Sequence, residues 1–76
     1  MQKRSIAIRG HRTSIRLEPE FWRALDAAAR RRNIALPVLV AEVDSKRLKD
    51  IPAPALASAL RVFALSEASG VRNEPE

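Results

Sequence analysis

Polar and apolar positions alternate along Arg12-Thr13-Ser14-Ile15-Arg16-Leu17. In an extended chain this places Ile15 and Leu17 on one face with Thr13 beside them, and Arg12, Ser14 and Arg16 on the other. Ser5-Ile6-Ala7-Ile8-Arg9 alternates more weakly, as a short strand over 5–9 would, and Gly10-His11 interrupts the pattern as a bulge or turn. The period changes at Glu18-Pro19-Glu20. Proline suits the first turn of a helix, and acidic residues suit its positive end. Phe21, Trp22, Leu25, Ala28 and Ala29 then form one helical stripe, with Arg23, Asp26 and Arg30 facing away and Asp26 spaced to pair with Arg30. Arg30-Arg31-Arg32 complements the negative end of this helix, and Asn33 is a left-handed stop.

A second helix is predicted from near Pro37 to about Arg47, with Leu36, Leu39, Val40 and Val43 as its apolar stripe. Lys49 to Pro54 reads as a loop. A third helix is predicted from Pro54 to about Glu67. Leu56, Ala59, Leu60 and Phe63 share one side of it, while Val62 and Leu65 point roughly the other way. A helix apolar on two sides is expected to be covered on both, the second by another subunit. The organisation expected is a basic arm over 1–11, a core unit over 12–48, a loop and third helix over 49–67, and a flexible tail over 68–76.

The pattern is mainly α with one firm β-strand per chain, and one strand needs a partner for its backbone groups. Two solutions are open. A second copy supplies an antiparallel strand across a two-fold axis, which is the preferred expectation. The rival is a hairpin between 5–9 and 12–17, turning at Gly10-His11. In the first solution Ile15, Leu17, Phe21, Trp22, Leu25, Leu39, Val40 and Val43 form the core of an intertwined homodimer.

Composition narrows the chemistry. The 76 residues are enough for one small domain, and a chain of this size without cysteine lacks disulfide staples, which again favours association with a partner. The net charge of +5 suits a polyanionic partner. With His11 as the only histidine and no cysteine, no metal site, cofactor or histidine-based catalytic constellation is expected. Glu18 and Glu20 are better explained by the helix dipole than by acid–base chemistry, and Phe21 and Trp22 by core packing than by base stacking. No enzyme is expected. No apolar run approaches the roughly 18 residues of a membrane span, and no signal peptide is recognised, so the cytoplasm is the expected location.

The strand-helix-helix order resembles the ribbon-helix-helix DNA-binding proteins, the superfamily of the Arc and MetJ repressors. The block Gly10-His11-Arg12-Thr13-Ser14-Ile15-Arg16-Leu17-Glu18-Pro19-Glu20-Phe21-Trp22 is similar, more narrowly, to a family of short bacterial ribbon-helix-helix domains. That family carries an extra helix resembling Ser58-Ala59-Leu60-Arg61-Val62-Phe63. The resemblance spans about residues 3–66. It implies that Arg12, Ser14 and Arg16 touch base edges in the major groove. It also implies a phosphate clamp at the start of the second helix, at Ala35, Leu36 and Val38. This sequence departs from the usual pattern there: no serine or threonine caps the helix, and Pro37 lacks an N–H.

Lys3, Arg4, Arg9 and His11 are expected to reach phosphate from the basic arm. The function implied is sequence-specific binding of duplex DNA by a nucleoid-associated homodimer, as a repressor. Two alternatives are an antitoxin-like module binding a protein partner through the third helix, and a nucleic-acid-binding protein without sequence preference.

Overall fold

The computed structural model describes residues 1–69, with side chains described through residue 67. Its elements are β1 (Gln2–Ile8), β2 (His11–Leu17), α1 (Pro19–Arg31), α2 (Leu36–Arg47) and α3 (Leu56–Ser69). The expectation of a single strand per chain is corrected. Residues 2–8, read from sequence as an arm with a weak strand at 5–9, form a full strand. β1 and β2 pair antiparallel within one chain. Within the chain the two strands form an antiparallel hairpin, the pairing weighed above as the rival solution.

Its turn lies one residue earlier than Gly10-His11. Ile8 pairs with His11, which leaves Arg9 and Gly10 as a two-residue loop. Both have positive φ, 50° and 82°. Positive φ at both central residues is the requirement of a type I′ turn, whose twist matches that of the flanking strands.

The register brings Gln2 opposite Leu17, Arg4 opposite Ile15, Ile6 opposite Thr13 and Ile8 opposite His11 on the inner face. Ile6, Ile8, Ile15 and Leu17 are buried there. They meet Trp22, Leu25, Ala28 and Ala29 of α1, Leu39, Val40 and Val43 of α2, and Leu60 and Ala64 of α3. Phe21 packs against this cluster partly buried. The residues expected in the core thus gather in one cluster within the chain. Trp22, Leu17, Leu25, Leu39, Leu60 and Val40 are fully enclosed. At about 1.5–3 kcal/mol for each large side chain, their burial is the main force holding the layers together.

α1 starts as its sequence dictates. Glu18 is the N-cap residue, Pro19 opens the helix, and Asn33 takes a left-handed φ of 59° beyond its end. Asp26 does not pair with Arg30. It accepts instead from Arg4 of β1, because the hairpin brings that guanidinium against the same helix face. α3 begins at Leu56, leaving Pro54 in the loop. Leu60 and Ala64 are buried, while Val62 and Leu65 are 66% and 60% exposed. Within the chain α3 is covered on one side only. The tail expectation falls almost wholly outside the described residues, although α3 itself reaches Ser69.

Candidate nucleic-acid interface

Strand alternation divides the hairpin's polar residues into two sets with different fates. The outer face carries Lys3, Ser5 and Ala7 from β1 and Arg12, Ser14 and Arg16 from β2, all exposed. In register, Lys3 faces Arg16, Ser5 faces Ser14, and Ala7 faces Arg12. Arg12, Ser14 and Arg16 therefore point where the sequence pattern places them. Lys3, expected on an arm, stands in the same plane of side chains.

Arg4 and Arg9 are held elsewhere. Arg4 lies on the inner face and donates to both carboxylate oxygens of Asp26, at 3.1 and 3.2 Å. Its guanidinium sits 4.6 Å from the centre of the Trp22 ring, a cation–π distance. Arg9 projects from the turn onto α2, donating to Asp44 at 2.8 Å, to the Ala41 carbonyl at 3.2 Å and to the Ser45 hydroxyl. Both charges are satisfied within the fold. His11 is exposed beside the turn.

These internal contacts fix the ribbon to the helices beneath it. Trp22 Nε1 donates to the Gln2 carbonyl at 2.8 Å and pins the start of β1 to α1. Arg4 pins its middle, and Arg9 pins the turn. Asp44 is buried and also accepts from Arg47 at 2.7 Å. Its carboxyl is held below the ordinary carboxylate range by the Arg9 hydrogen bond first and by Arg47, against burial, which acts the other way.

A similar arrangement ties α3 in place. Glu67 accepts from Arg31 at 2.7 Å and from Arg32 at 2.9 Å, and its pKa is lowered chiefly by the Arg31 hydrogen bond. Arg32 also lies 5.1 Å from the Phe63 ring centre. Arg61 donates to Glu18 at 3.0 Å. The Glu18 carboxyl is lowered by a backbone hydrogen bond first and then by Arg61.

Ala35 is the N-cap residue of α2 and makes no side-chain cap. The Val38 amide donates to the Ala35 carbonyl at 3.0 Å, and Pro37 has none to offer. Arg32, the nearest basic candidate in the sequence, is occupied by Glu67. Among the described residues no group of histidines and carboxylates suits a metal ion, and no helix is long and apolar enough to cross a membrane.

The β1 half of the outer face escaped the sequence reading. Its signal was the alternation Lys3-Arg4-Ser5-Ile6-Ala7-Ile8, weakened because Arg4 occupies an inward position. Only the contact with Trp22 and Asp26 shows why an arginine stands there.

Comparison with family models identifies residues 1–68 as a ribbon-helix-helix domain. The chain belongs to this family. Ribbon-helix-helix domains are DNA-binding regulatory domains rather than enzymes, and they typically bind DNA as dimers. Searches of curated proteins and of solved structures return no match.

Proposed function

We propose that this chain binds duplex DNA sequence-specifically, laying the outer face of its β1–β2 ribbon in the major groove, and that it acts as a transcriptional repressor. One observation carries the reading. Arg4, Arg9, Arg31, Arg32, Arg47 and Arg61 all close ion pairs within the fold. Arg12, Arg16, Arg23 and Arg30 are exposed and make no ion pair among the described residues, and of these only Arg12 and Arg16 lie on the ribbon, on either side of Ser14. A guanidinium left free on a rigid support can grip the O6/N7 edge of guanine with two hydrogen bonds, worth about 1–3 kcal/mol of discrimination. Ser14 adds a hydroxyl that donates or accepts. The anchors at Gln2, Arg4 and Arg9 hold the ribbon before DNA arrives, which lowers the ordering cost of binding.

Phosphate contacts supply affinity rather than sequence preference. His11 and the amides near Ala35 and Leu36 are the remaining candidates for them. Repression follows by occlusion: a homodimer on its operator, within the nucleoid, excludes polymerase from the same DNA.

Selection of bound sequences from random duplex DNA tests the proposal. The native chain should enrich a defined motif. The double change Arg12→Ala and Arg16→Ala should erase the motif while unfolding stays unchanged. A motif that survives the double change removes the ribbon as the reader. Equal competition by random duplex and by RNA would favour binding without sequence preference.

The exposed Val62 and Leu65 favour a second reading, a protein-binding module of the antitoxin kind. Purification from native cells separates the two. A stoichiometric protein partner lost on Val62→Asp supports the module.

A further inference from the structure

We infer that the groove between α2 and α3 is a binding site for a free α-amino acid with a large apolar side chain. The site stands apart from the DNA-reading ribbon, since no residue of β1 or β2 lines it.

Shape and lining suit a small ligand. An open groove of about 510 Å³ lies between α2, the loop after it and α3. Small-ligand sites usually measure about 300–1,000 Å³ and combine an apolar wall with a few polar groups that fix orientation. The wall here comes from Val43, Pro54, Ala59, Val62 and Phe63. Val62 is 66% exposed, so apolar surface faces water along it.

The charged residues of the groove divide by what they already hold. Arg47 is committed: Nε donates to Asp44 at 2.7 Å and Nη1 to the Pro54 carbonyl at 2.9 Å. Lys46 and Asp50 also line the groove, are exposed, and make no ion pair among the described residues. Their spacing is that at which opposite charges meet on a helix. α2 ends at Arg47, however, and Asp50 falls beyond the helical register. One uncommitted cation and one uncommitted anion therefore stand beside an apolar wall.

An α-amino acid matches all three features. Its carboxylate accepts from Lys46 Nζ, its ammonium donates to Asp50, and its side chain lies along Val43, Val62 and Phe63. A simple carboxylic acid brings a like charge to Asp50, and a simple amine brings one to Lys46. A protein surface closed over the groove would bury both charges and require a partner for each. A small zwitterion carries both partners itself and leaves the open side of the groove hydrated.

Amide NMR titration of the full native chain tests the site with three probes. They are L-phenylalanine, 3-phenylpropionate, which lacks the ammonium, and phenethylamine, which lacks the carboxylate. L-Phenylalanine should shift the Val43, Ala59, Val62 and Phe63 resonances saturably, with a dissociation constant of about 1 mM or below. Lys46→Ala should weaken L-phenylalanine and 3-phenylpropionate about 3- to 10-fold and leave phenethylamine unchanged. Asp50→Asn should weaken L-phenylalanine and phenethylamine by a similar factor and leave 3-phenylpropionate unchanged. Both side chains are exposed, and circular dichroism confirms each fold. Shifts that do not saturate by about 10 mM overturn the inference. Binding indifferent to both substitutions overturns it too, because the groove is then only an apolar surface. Sedimentation supplies the remaining outcome. An assembly that Val62→Asp dissociates, with groove resonances unmoved by L-phenylalanine, gives the groove to a second copy and rejects the amino-acid site. None of these results alters the reading of DNA by Arg12 and Arg16.

Discussion

Arg9 and Asp44 stand 35 residues apart in sequence and meet with Arg9 Nη1 donating to Asp44 Oδ2 at 2.8 Å. The contact joins the tip of the hairpin to the C-terminal half of α2. Arg9 itself holds a positive φ of 50° in the turn. Four further hydrogen bonds converge here: from Arg9 to the Ala41 carbonyl and the Ser45 hydroxyl, and from Arg47 to Asp44 and the Pro54 carbonyl. The ribbon, α2 and the loop before α3 are thus fastened at one point.

Removing the shared acceptor should be costly. Asp44→Ala leaves two guanidinium groups without their carboxylate beside a buried position, and is expected to destabilise by about 1.5–3 kcal/mol. Urea denaturation should show a lower midpoint with an unchanged slope. A midpoint equal to that of the native chain would mean that water replaces the carboxylate at no cost.

The same group makes stability pH-dependent. The folded pKa of Asp44 is depressed, by Arg9 first. Its contribution is therefore complete above the unfolded value of about 4, and is lost as pH falls through the folded value. Glu67, lowered chiefly by Arg31, acts in the same direction. The unfolding free energy should be level above about pH 5 and fall below about pH 4. Asp44→Asn should flatten part of that fall. A slope identical in the variant excludes Asp44 as its source.

Gly10 tests the turn alone. Its φ is 82°, and a Cβ built there meets nothing within 4 Å. The penalty of Gly10→Ala is therefore backbone strain without a clash, about 1–2 kcal/mol. Gly10→Asn should cost less, since asparagine tolerates the left-handed region. Thermal unfolding that ranks alanine above asparagine would contradict the I′ geometry.

Trp22→Phe should keep the ring beneath Arg4 but leave the Gln2 carbonyl without its donor. About 2–3 kcal/mol is expected, from the lost hydrogen bond and the cavity left by the smaller ring, with faster amide exchange strongest at the start of β1. Exchange that rises evenly over all elements would indicate a loosened core instead.

Val62→Asp and Leu65→Asp should leave unfolding within about 0.5 kcal/mol of the native chain, as both side chains are largely exposed. A large loss, measured together with sedimentation, would show that this side of α3 is covered in solution.

Much of this architecture is written locally. The alternation of Thr13, Ile15 and Leu17 against Arg12, Ser14 and Arg16 turned out as extended geometry requires. So did the start of α1 at Pro19, the left-handed stop at Asn33, and the opposite sides of α3 carrying Leu60 and Val62. Each depends only on covalent geometry and on neighbours within a turn or two. Arg4 and Arg9 were harder to place. As isolated basic residues they resemble solvent-facing charges, and only distant partners, Trp22 with Asp26 and Asp44 with Ser45, turn them inward.

Sequence alone determined which face of β2 turns to solvent, where the helices run, and which apolar residues enter a core, since strand and helix periods are intrinsic to the backbone. Tertiary structure decided what β2 pairs with and in what register. Placing the turn at Arg9-Gly10 rather than Gly10-His11 shifts the register by two residues and sets Lys3, not Ser5, across from Arg16. The physical reason is that a two-residue turn is specified by weak local preferences. A ribbon's register also answers to contacts far away in the chain, here the anchoring of Gln2, Arg4 and Arg9 on the helices, which no local pattern records.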